Sequence, residues 1–107
     1  MIAAMALELR PTCEYCDKDL PAHSLEARIC SYECTFCADC VETELNNVCP
    51  NCGGGFTDRP IRPVGEWQPG LSLAKRPMTT KRTRLSYGAE EIVKFSAKLK
   101  DIPPDKR

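Results

Sequence analysis

A chain of 107 residues with fifteen Lys/Arg, fifteen Asp/Glu and no net charge has room for one small domain, and its eight cysteines, nine prolines and single histidine leave little for an apolar core. No stretch approaches the roughly 18 apolar residues of a membrane span, and one histidine cannot furnish a His-rich metal site or a catalytic triad. The charge is balanced only as a whole: residues 1–58 carry three basic against ten acidic side chains, and residues 59–107 carry twelve against five, so the halves stand at −7 and +7.

The first nine residues, MIAAMALEL, are too short for a signal peptide, lack a basic start and run into Glu8 and Arg10. The expected setting is a reduced, cytoplasmic compartment, where closely spaced cysteines bind metal rather than form the disulfide scaffold of a secreted chain. All eight cysteines then fall between Cys13 and Cys52, in four close pairs: Cys13/Cys16, Cys30/Cys34, Cys37/Cys40 and Cys49/Cys52. A Cys-x-x-Cys turn points both sulfurs at one ion, and four pairs make two four-thiolate sites. The expected cofactor is Zn²⁺, two per chain, and the expected fold over residues 1–64 is a small, metal-stabilised α+β module.

Sites closed by four cysteines leave no position for a reactive water, so no enzymatic activity is expected. His23, in the loop between Cys16 and Cys30, reads as solvent-exposed, and Asp17, Asp19, Glu42 and Glu44 read as a solvated face.

Residues 65–86 read as a Pro-rich basic linker. Pro60, Pro63, Pro69 and Pro77, with Gly65 and Gly70, break helix and central-strand patterns alike. Arg59 to Val64 is expected to lie as an extended strip against the module. Pro60-x-x-Pro63 also matches a polyproline ligand, and Trp67 is expected to anchor the strip by burying its ring. Lys75, Arg76, Lys81, Arg82 and Arg84 read as a tail folding back onto the acidic half; nucleic-acid binding is the alternative, although no aromatics are interleaved to stack on bases.

Residues 87–107 form a C-terminal amphipathic helix and tail. Ile92, Phe95, Leu99 and Ile102 recur at helical spacing between Tyr87 and Ile102, Glu90 and Glu91 precede Lys94, Lys98 and Lys100 as the helix dipole favours, and Pro103 and Pro104 end the element. A lone helix of this length is marginal in water. Its stripe must therefore dock on its own module, on a sister chain or on another protein, and the expectation here is an exposed Ile92, Phe95 and Leu99 face offered to a protein partner or to self-association. No small-molecule substrate is evident.

Counting residues between successive cysteines gives 2, 13, 3, 2, 2, 8 and 2. This series resembles the RING finger, whose eight ligands alternate between two zinc ions in a cross-brace. The resemblance implies Cys13, Cys16, Cys37 and Cys40 for site 1 and Cys30, Cys34, Cys49 and Cys52 for site 2, with Cys34 where RING fingers usually carry histidine. It also implies a treble-clef-like unit, in which a short helix from Ala38 to Leu45 turns Val41 and Leu45 inward. A sequential pairing, with Cys13, Cys16, Cys30 and Cys34 on one ion, satisfies tetrahedral coordination equally and stays open. The run Cys34-x-x-Cys37-x-x-Cys40 followed by Cys49-Pro50 resembles an iron–sulfur ferredoxin motif, but its last gap is eight residues rather than three. As a function, the RING resemblance implies an E3 ubiquitin-ligase-like adaptor: Tyr15 and Pro50 fall on its groove positions, Gly53 stands where a basic contact is expected, and Arg59 is the next basic residue.

A closer resemblance rests on Leu7-Glu8-Leu9-Arg10-Pro11-x-Cys13-Glu14-x-Cys16-Asp17-Lys18-Asp19-Leu20-Pro21, on Ala27 through Cys40, on Cys49-Pro50-Asn51-Cys52-Gly53-Gly54 and on Arg59-Pro60-Ile61-Arg62-Pro63. Over about Met5 to Val64 the chain is identified as a member of a small bacterial family of cysteine-rich proteins, domain of unknown function 1272. The bacterial setting of that family speaks against a ubiquitin ligase. Its usual start falls after Ala4, which makes Met5 an alternative to Met1 as initiator. The function expected from all of this is a zinc-binding protein whose structural zinc supports a macromolecular, chiefly protein, interaction.

Overall fold

The computed structural model describes residues 6–107; Met1 and Met5, the two initiator alternatives, lie outside the described residues. The scaffold is a three-stranded antiparallel sheet of order β2-β1-β3, made of β1 (Ala27–Ile29), β2 (Thr35–Cys37) and β3 (Thr57–Asp58). Ala27 faces Cys37 and Ile29 faces Thr35 across the first hairpin, and Ile29 also pairs with Thr57 of β3. Strands this short place residues rather than build a core. The loop of that hairpin is the Cys30–Cys34 segment itself, closed by Cys30 N–H to the Cys34 carbonyl (3.1 Å) and turned by Glu33 at φ 68°.

Directly after β2 the chain enters a helical turn that widens to π geometry over Cys40–Glu44. Val41 and Leu45 are buried there, on the inward face anticipated for them. Two consecutive asparagines in the left-handed region, Asn46 (φ 50°) and Asn47 (φ 58°), stop the helix, a conformation asparagine tolerates better than most residues. Asn47 Oδ1 then accepts the N–H of Phe56 (2.9 Å), which sets the Phe56 ring edge-on to Phe36 at 5.4 Å.

The basic half wraps the cysteine half. Thr79 N–H donates to the Leu9 carbonyl and Leu85 N–H to the Glu14 carbonyl, both at 2.9 Å. Arg82 pairs with Asp17 and Asp19, and Arg84 with Asp17, so these cations meet acidic side chains of the same chain. Asp17, expected on a solvated face, is in fact a partner of this wrapping segment. Trp67 corrects an expectation outright: its ring is not an anchor but 83% exposed, with Val64 at 80%, because the strip is held by arginine instead. Arg62 donates to the carbonyls of Leu7 and Arg76, and its own neighbours need bury nothing.

Helix α1 (Ala89–Leu99) starts at Gly88, whose N–H donates to the Glu91 carboxylate (3.3 Å). It docks on its own module, so the expected exposed stripe is also corrected. Ile92 is 5% exposed and joins the core cluster, Ser96 Oγ donates to the Leu45 carbonyl (3.0 Å), and Phe95 and Leu99 close over Gly53. Gly53 has φ 82°, and a Cβ there would stand 3.1 Å from Leu99 Cδ1. Replacing Gly53 with Ala is therefore expected to cost about 1–2 kcal/mol, strain and crowding together. Thermal melting of the two proteins reads this out, and an unchanged midpoint would refute it. No helix among the described residues is long and apolar enough to cross a membrane.

Candidate metal centre

The eight cysteines are free thiols, and seven of them gather in interleaved order. The sulfurs of Cys13, Cys16, Cys37 and Cys40 lie within 4.8 Å of one another, and so do those of Cys30, Cys34 and Cys49. Cys13 shares its group with Cys37 and not with Cys30, which excludes the sequential pairing, and Cys34 and Cys37 fall in different groups, which excludes the ferredoxin-like run. The hairpin explains why. Cys30 and Cys34 flank its tip while Cys37 ends β2 at its base, and three strand residues separate the two groups by about 10 Å.

The first and last knuckles are built alike. Asp17 N–H returns to the Cys13 carbonyl (2.9 Å) and Gly53 N–H to the Cys49 carbonyl (2.7 Å), while Cys13 N–H donates to Lys18 and Cys49 N–H to Gly54. Each turn needs a left-handed residue just after its second cysteine, and Asp17 (φ 65°) and Gly53 supply it. A zinc tetrahedron with bonds of about 2.3 Å to sulfur has edges of about 3.8 Å. The Cys16–Cys37 sulfur separation is 3.8 Å, the length of one such edge.

Among the second group, Cys30 and Cys34 are buried and Cys49 fully so. Asn51 Nδ2 donates to Cys34 Sγ (3.4 Å) and Tyr32 N–H to Cys30 Sγ (3.3 Å), contacts that favour sulfur in its anionic form. Cys52, assigned to site 2 from the RING resemblance, is exposed, stands outside the group of three, and takes the N–H of Gly54 on its sulfur (3.4 Å).

Without a cation, few of these sulfurs can be anionic together. The Cys49 thiol, hydrogen-bonded to Cys34, leads Asn51 and Cys30 in pulling Cys34 down to about 5, whereas burial pushes Cys30 up to about 11. Cys49 is raised by that same bond to Cys34 and by burial, and Cys40 chiefly by burial. At Cys16 burial works upward, but the Lys18 N–H and the neighbouring thiols hold it below the ordinary thiol range. One sulfur in each group is thus disposed to be a thiolate, and a divalent cation supplies the charge that lets the others follow.

Sequence reasoning passed over the groups that brace these sites. Glu14, inside the first knuckle, is 2% exposed, accepts Thr35 N–H (2.6 Å) and meets Arg10 (2.8 Å), so it ties the knuckle to β2. Burial raises the Glu14 carboxyl, and Arg10 opposes that rise. Arg59, the basic residue nearest a ligase-type contact, is 3% exposed and donates to the carbonyls of Arg10, Leu20 and Pro21. It faces inward, away from any partner. Tyr15 lies beside Arg84, Leu85 and Ile92, and Pro50 beside Ile92 and Phe95, so both ligase-groove positions sit along the C-terminal segment.

The family described as "Protein of unknown function (DUF1272)" matches residues 6–62. An uncharacterised protein of Rhizobium meliloti (strain 1021) is 53% identical over 82 residues, which cover 77% of this chain and 90% of that protein. No solved structure matches.

Proposed function

The chain belongs to the DUF1272 family, and from that premise we propose that it is a zinc-binding protein of RING-like, treble-clef type, without catalytic activity, whose two structural zinc ions hold a surface for another protein. The interleaved grouping of the thiols is the observation that supports it. Cys13, Cys16, Cys37 and Cys40 would hold one ion. Cys30, Cys34 and Cys49 would hold the second, with Cys52 as its fourth ligand. When bound, the metal supplies positive charge and a rigid tether between segments far apart in sequence.

The surface it presents is the Pro-rich strip rather than α1. Ile61, Val64 and Trp67 stand exposed along it, large apolar side chains that a lone chain gains nothing by showing to water. The ligase-like alternative has less support, since Arg59 is engaged inside the fold, and the nucleic-acid alternative has less because Arg82 and Arg84 already face Asp17 and Asp19.

Pull-down from the native host with the wild type and a Val64→Ser/Trp67→Ser double variant tests this. Both proteins are expected to carry two zinc ions and to melt alike, and only the wild type to retain its partner. Equal retention by both would remove the strip from the interface.

A further inference from the structure

Cys16 and Cys52 are the two exposed cysteines, yet they are placed differently. Cys16 is gathered with three partner thiols, one of them 3.8 Å away. Cys52 is not gathered: three buried thiols close on one another without it, and it stays exposed, although its sulfur accepts the Gly54 N–H just as Cys30 accepts that of Tyr32.

From this difference we propose that the Cys30/Cys34/Cys49 group is an exchangeable zinc site, with Cys52 as a displaceable fourth ligand whose position an incoming thiolate donor can take. The inference rests on the zinc reading above. In the exchange, a thiolate of the incoming molecule forms a bond to zinc, the zinc–Cys52 bond breaks, and the Cys52 sulfur leaves with its electron pair and takes a proton from water. Zinc stays divalent throughout, and no oxidant or reductant is consumed. The first site has no such entry, because all four of its sulfurs are already drawn together and three of them are buried. The asymmetry separates the sites by rate: both ions brace the fold, but only the second can be handed on or received while the first stays in place.

The test uses the full-length, two-zinc protein. Incubated with isotopically enriched Zn²⁺ and a small thiol such as glutathione, it should exchange one equivalent at least ten times faster than the other. Iodoacetamide on the same protein should place a single adduct on Cys52, iodide leaving as the carbon–sulfur bond forms, with both zinc ions retained and Cys16 protected. Cys52→Ser should keep two zinc ions where Cys49→Ser keeps one. A common exchange rate for the two equivalents, protection of Cys52 equal to that of Cys13, or loss of one zinc by Cys52→Ser would each overturn the proposal while leaving the zinc reading intact. A preparation holding no zinc would overturn that reading and this one together.

Discussion

Stripped of zinc by a strong chelator, the protein is expected to lose its cooperative fold, and restoring two equivalents is expected to bring it back. The reason lies in what the core is made of. Of the twelve residues in its central cluster six are cysteines, and the remainder are Leu20, Ala27, Phe36, Val41, Leu45 and Ile92. Six apolar side chains, at about 2 kcal/mol each for full burial, cannot offset the ordering of a chain this long. Structural zinc sites in small peptides contribute roughly 10–16 kcal/mol of apparent binding energy, enough to decide the balance. Acid should act as the chelator does, because protons compete for the same sulfurs. Circular dichroism with metal analysis is the measurement: a chelated protein that keeps its spectrum and its sharp melt would sink the prediction. The same assay resolves the sites, for Cys13→Ser and Cys37→Ser should each lose one ion and their double variant still only one, whereas Cys13→Ser with Cys30→Ser should lose both.

The local structure of the cysteine-bearing half was readable because its information is local. A two-residue gap between cysteines specifies a turn, the glycine after Cys52 specifies the left-handed step, and the spacing from Val41 to Leu45 specifies one face of a helical turn. The amphipathic pattern from Tyr87 to Ile102 marked the helix correctly, longer by a few residues than Ala89–Leu99. What that pattern cannot carry is the identity of the opposing surface. Phe95 and Leu99 read as a face waiting for a partner, while the space they fill is created by a residue with no side chain, Gly53, more than forty positions earlier. Trp67 failed for a related reason. A large ring in a short chain is a natural packing residue, but the strip next to it is fastened by main-chain carbonyls to guanidinium groups, and hydrogen bonds of that kind leave no hydrophobic periodicity to read. Glu14 and Arg59 look in sequence like surface charges, and nothing short of the fold reveals that each is sealed inside by its partners.

Arg59→Leu is expected to destabilise the zinc-loaded protein by about 2–4 kcal/mol, a shift on the order of 10–20 °C in melting temperature for a domain of this size, while leaving both zinc ions in place. Arg59 follows β3, and its N–H bonds the Ala27 carbonyl (3.0 Å), so its backbone belongs to the sheet. Its side chain crosses to the first knuckle and reaches the Arg10 carbonyl on one flank and the Leu20 and Pro21 carbonyls on the other, at 2.8, 3.2 and 2.7 Å. Those flanks are the two sides of the Thr12–Asp19 bridge that frames Cys13 and Cys16. Burial lowers the basicity of the guanidinium but leaves it charged at neutral pH, and no carboxylate is bonded to it. The three carbonyls are therefore its compensation, and it is theirs. Leucine fills part of the space and satisfies none of them, so the cost is that of leaving buried acceptors unpaired. Lysine has a single charged nitrogen that cannot span both flanks, and Arg59→Lys should recover only part of the loss. Equal melting of the wild type and Arg59→Leu would show the carbonyls satisfied by water instead, whereas loss of a zinc ion in that variant would make Arg59 a determinant of metal binding rather than the strut between sheet and knuckle.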